Sequence, residues 1–254
     1  MIDYAEELEQ IKDKKKVVLL QSGGLDSCYL ACLLSRNGFT IHHLFVDYGQ
    51  NAKDQEFKKA KEIVNKYGGE LHYATINLPW LKDSTLLAGH KVEEYDVEKT
   101  MGCVSAKTYV PMRNSILLSM ASSLAESLDI KYIASALDGN EDYYGNPLTG
   151  APDKHPTYVK TFENALSEGS SFRHCYNKDF EIIAPTLGNT KEDTIQMGLD
   201  IDCDFSLSWT CYNNSKEPCG ECCACIDRAI HFSNLGLEDP ALKNKDKKEM
   251  KPLD

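Results

Sequence analysis

The sequence lacks any apolar run long enough to span a bilayer, which takes about 20 residues, and it lacks an excess of positive charge. Its 28 Lys and Arg stand against 39 Asp and Glu, a formal charge of −11. The first absence excludes a membrane helix. The second excludes a broad nucleic-acid surface, which needs clustered cations to release the counterions of a phosphate backbone. The basic stretches Lys12–Lys16 and Lys243–Lys251 are interleaved with acids and lack aromatics for base stacking, so they read as solvated tails. No internal repeat and no low-complexity segment is present. No Gly-Lys-Ser/Thr follows the first glycine pair, which excludes a Walker A loop. The ten cysteines are not spread like a disulfide framework, because four fall between Cys219 and Cys225. Thiols at that density read as metal ligands in a reducing compartment, and Met1–Lys16 is charged rather than signal-like. The expectation is a cytoplasmic protein without membrane or nucleic-acid partners.

What is present is a globular composition, 42% hydrophobic and 26% charged over 254 residues, sized for one large domain with an appendage. Strand-like Val17–Gln21, helical Asp26–Arg36, β-rich Thr40–Val46, amphipathic Ala52–Tyr67 and strand-like Leu71–Ile76 alternate. Helix Ser115–Leu128, with Leu117, Ala121, Leu124 and Leu128 on its apolar face, strand Lys131–Leu137, helix Tyr158–Leu166, strand Glu181–Ala184 and helix Thr190–Met197, closed by Gly198, continue the pattern. Such alternation predicts an α/β fold, a parallel sheet covered by helices on both faces, with ligands beyond the carboxyl ends of the strands. Pro79–Thr108 reads as a lid or insertion, and Asp138–Pro156 as an ordered, ligand-facing loop.

Ser22-Gly23-Gly24-Leu25-Asp26-Ser27 follows the first strand directly and opens the first helix. Glycines let backbone N–H groups approach an anion, and the helix start adds unpaired N–H groups and the positive end of its dipole. The serine hydroxyls are further donors, and Asp26 suits a Mg2+ ion bridging phosphate oxygens. Near the other end, Cys211, Cys219, Cys222 and Cys225 have the spacing C-x7-C-x2-C-x2-C. Four thiolates satisfy tetrahedral zinc and leave no open position, which makes one structural Zn2+ per chain the leading reading and an iron–sulfur cluster its alternative. Cys223 falls out of register, and the scattered Cys28, Cys32, Cys103, Cys175 and Cys203 read as buried small hydrophobes.

Together with Asp47-Tyr48-Gly49-Gln50, Val110-Pro111-Met112-Arg113-Asn114, Glu141-Asp142-Tyr143, Ala151-Pro152-Asp153, Phe162–Leu166, Thr190-Lys191 and Ser208-Trp209-Thr210-Cys211-Tyr212-Asn213, these features resemble the 7-cyano-7-deazaguanine synthase family over roughly residues 16 to 235. That family belongs to the N-type ATP pyrophosphatases. The resemblance implies a Rossmann-like, adenine nucleotide alpha hydrolase-like domain over residues 1–200, a small helical zinc subdomain over 201–240 and a polar tail over 241–254. It implies a homodimeric ligase that uses ATP with Mg2+, ammonia and a carboxylated deazapurine to make the nitrile preQ0. By the same resemblance Gln21, Ser22, Gly23, Gly24, Leu25, Asp26, Ser27, Cys28, Tyr29, Leu30 and Ala31, with Asp47 and Tyr48, hold ATP. Arg113 and Lys191 are the candidate catalytic cations, Lys191 reading equally well as an exposed helix-start lysine. Asp142, Tyr143 and Asp153 are candidates to read the deazapurine edge.

The chain departs from the family where Gly150-Ala151-Pro152-Asp153-Lys154-His155-Pro156 replaces approximately Gly-Tyr-Pro-Asp-Cys-Arg-Pro, and where Asn51-Ala52-Lys53 replaces basic and His residues. These departures fall on the second substrate rather than on ATP. They leave open a related adenylating ligase that stops at the amide or uses another amine, such as a protein terminus. A binding module without turnover, and a tRNA-thiolating pyrophosphatase, are the remaining readings; Asp26 with the intact serines opposes the first and the −11 charge the second.

Overall fold

The computed structural model describes residues 16–81, 84, 86–87, 110–139 and 151–242. Strands β1 (Lys16–Leu20), β2 (Thr40–Asp47), β3 (Glu70–Thr75), β4 (Tyr132–Ala134) and β5 (Glu181–Ile183) form one five-stranded sheet in the order β3-β2-β1-β4-β5. Every pairing is parallel. The helices are α1 (Leu25–Arg36), α2 (Lys53–Tyr67), α3 (Arg113–Ser127), α4 (Pro156–Glu168), α5 (Ser171–Tyr176), α6 (Lys191–Asp200) and α7 (Cys223–Asn234). Strand order reverses direction between β1 and β4, and the crevice at such a switch point is where open α/β sheets bind ligands.

Alternation along the strands feeds two cores. Val17, Leu19 and Ile41 face α1, with Ile63, Ile195, Phe205 and Phe232 in the same cluster. Val18, Leu44, Val46 and Ile133 face the other way, onto Leu118, Ala121 and Ala125 of α3 and Val159 of α4. The strands therefore read as continuous apolar runs, as a doubly covered sheet requires. No helix among the described residues is long and apolar enough to cross a membrane.

Several expected boundaries move for physical reasons. Gly198 does not close its helix, which runs on to Asp200. A Cβ there would lie 2.3 Å from the Phe205 ring, so the glycine serves close packing rather than termination. On α3 the most buried positions are Leu118, Ala121 and Ala125, one step around from the expected face, while Leu117, Leu124 and Leu128 pack at its margin. Cys203, Phe205 and Phe232 share the core of the α/β sheet, so the chain after residue 200 does not build a wholly separate core. Cys175 is exposed on the short α5, unlike the buried Cys28, Cys32 and Cys203; Cys103 lies outside the described residues.

Candidate active site and metal centre

The turn after β1 is set by a chain of hydrogen bonds that begins in the core. His43 is fully buried, and its Nε2 lies 3.0 Å from the Gly68 carbonyl. Burial pushes the ring down to about 4, so it is neutral; Nε2–H donates to that carbonyl and Nδ1 is left to accept from Gln21 Nε2 at 3.5 Å. The Gln21 amide is thereby oriented so that Oε1 accepts the Gly23 N–H at 3.1 Å. Gly23 has φ +76°, and a Cβ on it would lie 2.2 Å from the Glu56 carbonyl oxygen, so only glycine fits. Beyond it α1 starts at Leu25 without a side-chain cap, and its first intrahelical bond runs from the Cys28 N–H to Gly24 O. The N–H groups of Leu25, Asp26 and Ser27 precede that bond, at the positive end of the helix dipole. Ser22 Oγ and Ser27 Oγ meet at 3.1 Å beside them.

A charged group from three further segments converges on this helix start. Thr190 and Asp193 form a reciprocal capping box, which fixes Lys191 at the first position of α6. Lys191 Nζ lies 2.6 Å from Asp26 Oδ2 and 3.4 Å from Oδ2 of Asp138, in the segment that follows β4. Lys154 Nζ closes the group at 2.6 Å from Asp138 Oδ1. Burial opposes the charge on Asp138, but the two lysines hold its carboxyl well below the usual range. Burial likewise opposes the charge on Lys191, and Asp26 and Asp138 more than compensate, raising it. Asp26 Oδ1 is buried with no hydrogen-bond partner, an orphaned anionic oxygen of the kind a bound Mg2+ would satisfy.

The facing wall is built from the ends of β2 and the starts of α2 and α3. Met112 adopts a left-handed backbone at φ 54° and turns the chain into α3, and the Arg113 guanidinium faces the Tyr48 hydroxyl with Asp153 and Tyr212 close by. Glu56 points into the same space. Burial pushes its carboxyl up to about 7, against the opposing effects of Gln50 Nε2, 3.1 Å from Oε2, and the Arg113 charge.

The structure sorts the sequence-predicted residues. It brings Lys191 onto Asp26 of the Gln21–Ser27 turn, and Tyr48 onto Arg113. From Cys28 onward the segment serves the core: Cys28, Leu30 and Ala31 are fully buried, and the Tyr29 hydroxyl contacts Met197 Sδ. Both Asp47 oxygens are engaged, by the Tyr73 hydroxyl at 2.7 Å and the Gly49 N–H at 3.0 Å, with Lys53 Nζ at 3.3 Å. Asp153 is buried, and Asn114 donates to both its oxygens, from the backbone at 2.8 Å and from Nδ2 at 3.0 Å. It clamps the start of α3. Asp142 and Tyr143, most of the 79–108 stretch and residues 140–150 lie outside the described residues. Asp138 and Glu56 belong to no motif, and Lys154 stands in the altered Gly150–Pro156 segment. Asp138 could have been found as the acid closing a strand, whereas Glu56 looks like any solvated helix charge.

Behind the loop, Cys211, Cys219, Cys222 and Cys225 bring their sulfurs within 4.8 Å of one another, and Cys223 stays outside. Backbone N–H groups of Asn213 and Cys219 point at Cys211 Sγ, each at 3.3 Å, and those of Glu221 and Cys222 at Cys219 Sγ, at 3.5 and 3.3 Å. Donors aimed at sulfur suit thiolates. Hydrogen bonds from Cys211 and Cys225 pull Cys222 far down, while the same bonds push Cys211 and Cys225 up. Four converging sulfurs with backbone donors aimed at them form a donor set that fits zinc.

This module is tied to the loop. The Trp209 N–H donates to Gly23 O at 2.8 Å, Asn51 Nδ2 to Tyr212 O at 3.2 Å, and Ala52 packs against Trp209 and the cysteines. Arg228 of α7 locks it from below: its guanidinium is bidentate to Asp239 at 2.8 and 3.0 Å and also reaches Ser208 Oγ, Thr210 Oγ1 and Phe205 O. A separate depression of about 840 Å³ lies around Lys131 and Glu181, at the amino ends of β4 and β5. Its charges pair across it, Lys131 with Glu181 and Lys178 with Asp129, and it lies at the wrong end of the sheet for the loop.

The model of one family, queuosine biosynthesis protein QueC, matches residues 16–236. The 7-cyano-7-deazaguanine synthase of Thermoplasma acidophilum is 33% identical over 90% of this chain and 92% of its own length. That of Methanosphaerula palustris is 32% identical over 89% and 97%, and that of Psychromonas ingrahamii 31% over 89% and 96%. A match spanning the phosphate loop, the Lys191 helix and the cysteine module in one register places the chain in the family of the queuosine biosynthesis protein QueC.

Proposed function

We propose that the chain is a 7-cyano-7-deazaguanine synthase, an ATP-dependent ligase that turns 7-carboxy-7-deazaguanine and ammonia into the nitrile preQ0 for queuosine biosynthesis. The observation that carries the mechanism is Lys191 on Asp26 at the start of α1, beside an orphaned carboxylate oxygen. A carboxylate resists nucleophiles because it is negatively charged and has no good leaving group. Attack of its oxygen on the α-phosphorus of ATP expels pyrophosphate and leaves an acyl adenylate. Ammonia then displaces AMP to give the amide. A second adenylation, on the amide oxygen, lets that oxygen leave with AMP while the nitrogen sheds its protons, which gives the nitrile.

In this reading the N–H groups of Leu25 to Ser27 and the Ser22 and Ser27 hydroxyls hold the pyrophosphate end, which suits a helix N-terminus. Lys191 offsets the charge that develops on it. Asp26 Oδ1 would hold Mg2+, whose chemistry is to neutralise phosphate charge. Arg113 and Tyr48 line the acyl side, and Glu56, titrating near neutrality, accepts the proton that leaves the attacking nitrogen. The four cysteines would hold zinc structurally, with no open position for chemistry. The enzyme is a cytoplasmic homodimer acting on small molecules, a reading the formal charge of −11 supports over a nucleic-acid partner. No observation favours a different amine acceptor.

Incubation with ATP, Mg2+, ammonia and 7-carboxy-7-deazaguanine, followed by mass spectrometry, tests this. Nitrile and AMP are expected; consumption of ATP with only amide, or with no deazapurine product, overturns it.

A further inference from the structure

At the opposite end of the sheet from the phosphate loop, the strand register assembles a second group of metal-type donors. His42 of β2 pairs with Glu70 of the edge strand β3, and Leu44 pairs with His72. Because side chains alternate between faces, His42, Glu70 and His72 share one face, with His72 one rung further along. The distances are 3.2 Å from His42 Nδ1 to His72 Nε2, 3.5 Å from His42 Nδ1 to Glu70 Oε2, and 3.9 Å from His72 Nε2 to Glu70 Oε1. One donor atom from each of the three residues lies within 4.8 Å of the others; the first two distances share His42 Nδ1, and the third ends on the other carboxylate oxygen. A tetrahedral ion with donors at about 2.0–2.1 Å has edges of about 3.4 Å, which the three distances bracket.

We propose that His42, Glu70 and His72 form a second divalent-metal site, of the zinc class, with its remaining position open to water. A hydrogen bond between the two rings accounts for only one of these three contacts. If His72 Nε2–H donates to His42 Nδ1, the lone pair of that nitrogen is spent and Glu70 approaches it without a proton to share. A shared N–H reaches at most two acceptors, whereas one cation serves all three donors. Two imidazoles and a carboxylate are a borderline nitrogen and oxygen set that suits zinc and its neighbours and differs from the all-thiolate set of the cysteine module.

The two rings are largely covered, with side chains 13% and 23% exposed, while Glu70 at 67% can swing to admit an ion. Lys16, at the start of β1, opposes a cation there, and Glu70 supplies the offsetting charge. An ion in this position would pin the edge strand to β2.

The test uses untagged full-length protein with its cysteine module loaded, dialysed against Co2+ and assayed for metal per chain with absorption spectra. The wild type is expected to take up one further equivalent that adds d–d absorption without the thiolate charge-transfer bands of the cysteine site. His72→Gln is expected to lose that equivalent and keep the cysteine-bound one. Glu70→Gln, at an exposed position where folding is not at risk, is expected to weaken it at least tenfold. No further equivalent in the wild type, or one that survives both substitutions, overturns the proposal.

Discussion

The phosphate loop at Gln21–Ser27 and the cysteine module at Cys211–Cys225 touch through one hydrogen bond, Trp209 to Gly23, yet they are built on opposite principles. The loop is shaped by the protein alone. Its turn follows from a buried neutral histidine, an oriented glutamine and a glycine wedged against a backbone carbonyl. What it leaves unmet is charge and hydrogen bonding toward a ligand. The module is the reverse: its backbone donors are aimed at sulfur, but its thiols push one another's ionisation apart until a cation joins them. One region is preorganised to bind and the other binds in order to be organised. The second supports the first, because the segment that leads into the cysteines also backs the glycines.

The largest expected effect separates these principles directly. Cys222→Ala, or stripping of metal by a chelator, should melt the module, since structural zinc contributes on the order of 10 kcal/mol to such sites. Zinc content, thermal melting and ATP calorimetry should fall together. Full ATP affinity in the metal-free protein would show that the loop needs no buttress.

Arg228→Ala should come next. It strands Asp239 in a site where both side chains are 4% exposed, and breaking such a pair costs about 3–5 kcal/mol. Urea denaturation measures it, with zinc content as the readout of how far the damage spreads into the module.

Lys191→Ala should act on the loop alone. A lost charge stabiliser of this kind lowers kcat by about 10²–10³-fold, while melting should shift less than for Arg228→Ala because Lys154 still neutralises Asp138. Equal effects on melting and turnover would make Lys191 a structural clamp instead.

The smallest effect, and the most diagnostic, is that of Glu56→Gln. The folded protein holds this carboxyl up to about 7, above its ordinary value, so the native state binds its proton more tightly and loses stability as pH rises toward 7. The charged form is the proton acceptor, so turnover should rise through the same window. The glutamine variant should lose that rise in its pH–rate profile while melting slightly higher than wild type at pH 8.

Much of this was legible in the residues. A strand that ends in Ser-Gly-Gly and opens a helix carries its phosphate geometry locally, and a C-x2-C-x2-C run can converge only on one ion. Lys191 stood undecided because a lysine at a helix start looks the same whether it faces solvent or Asp26. The partner of Asp153 was not legible, because Asn114 lies 39 residues away. Glu56 and Arg228 gave no signal, since a charged residue between helical neighbours reads as a solvated face until packing encloses it.

By itself, then, the order of residues determined the parallel sheet, the anion-gripping turn and the metal-binding cysteines, because each depends on backbone conformation or on ligands a few positions apart. Only the tertiary structure decided which charges face one another. Lys191 lies on Asp26 across 165 positions, Arg228 gathers Phe205, Ser208, Thr210 and Asp239 around one guanidinium, and His42 meets His72 across a strand register. The physical reason is that electrostatic partners are chosen by distance in space, and that distance is set by how the two cores pack onto the sheet.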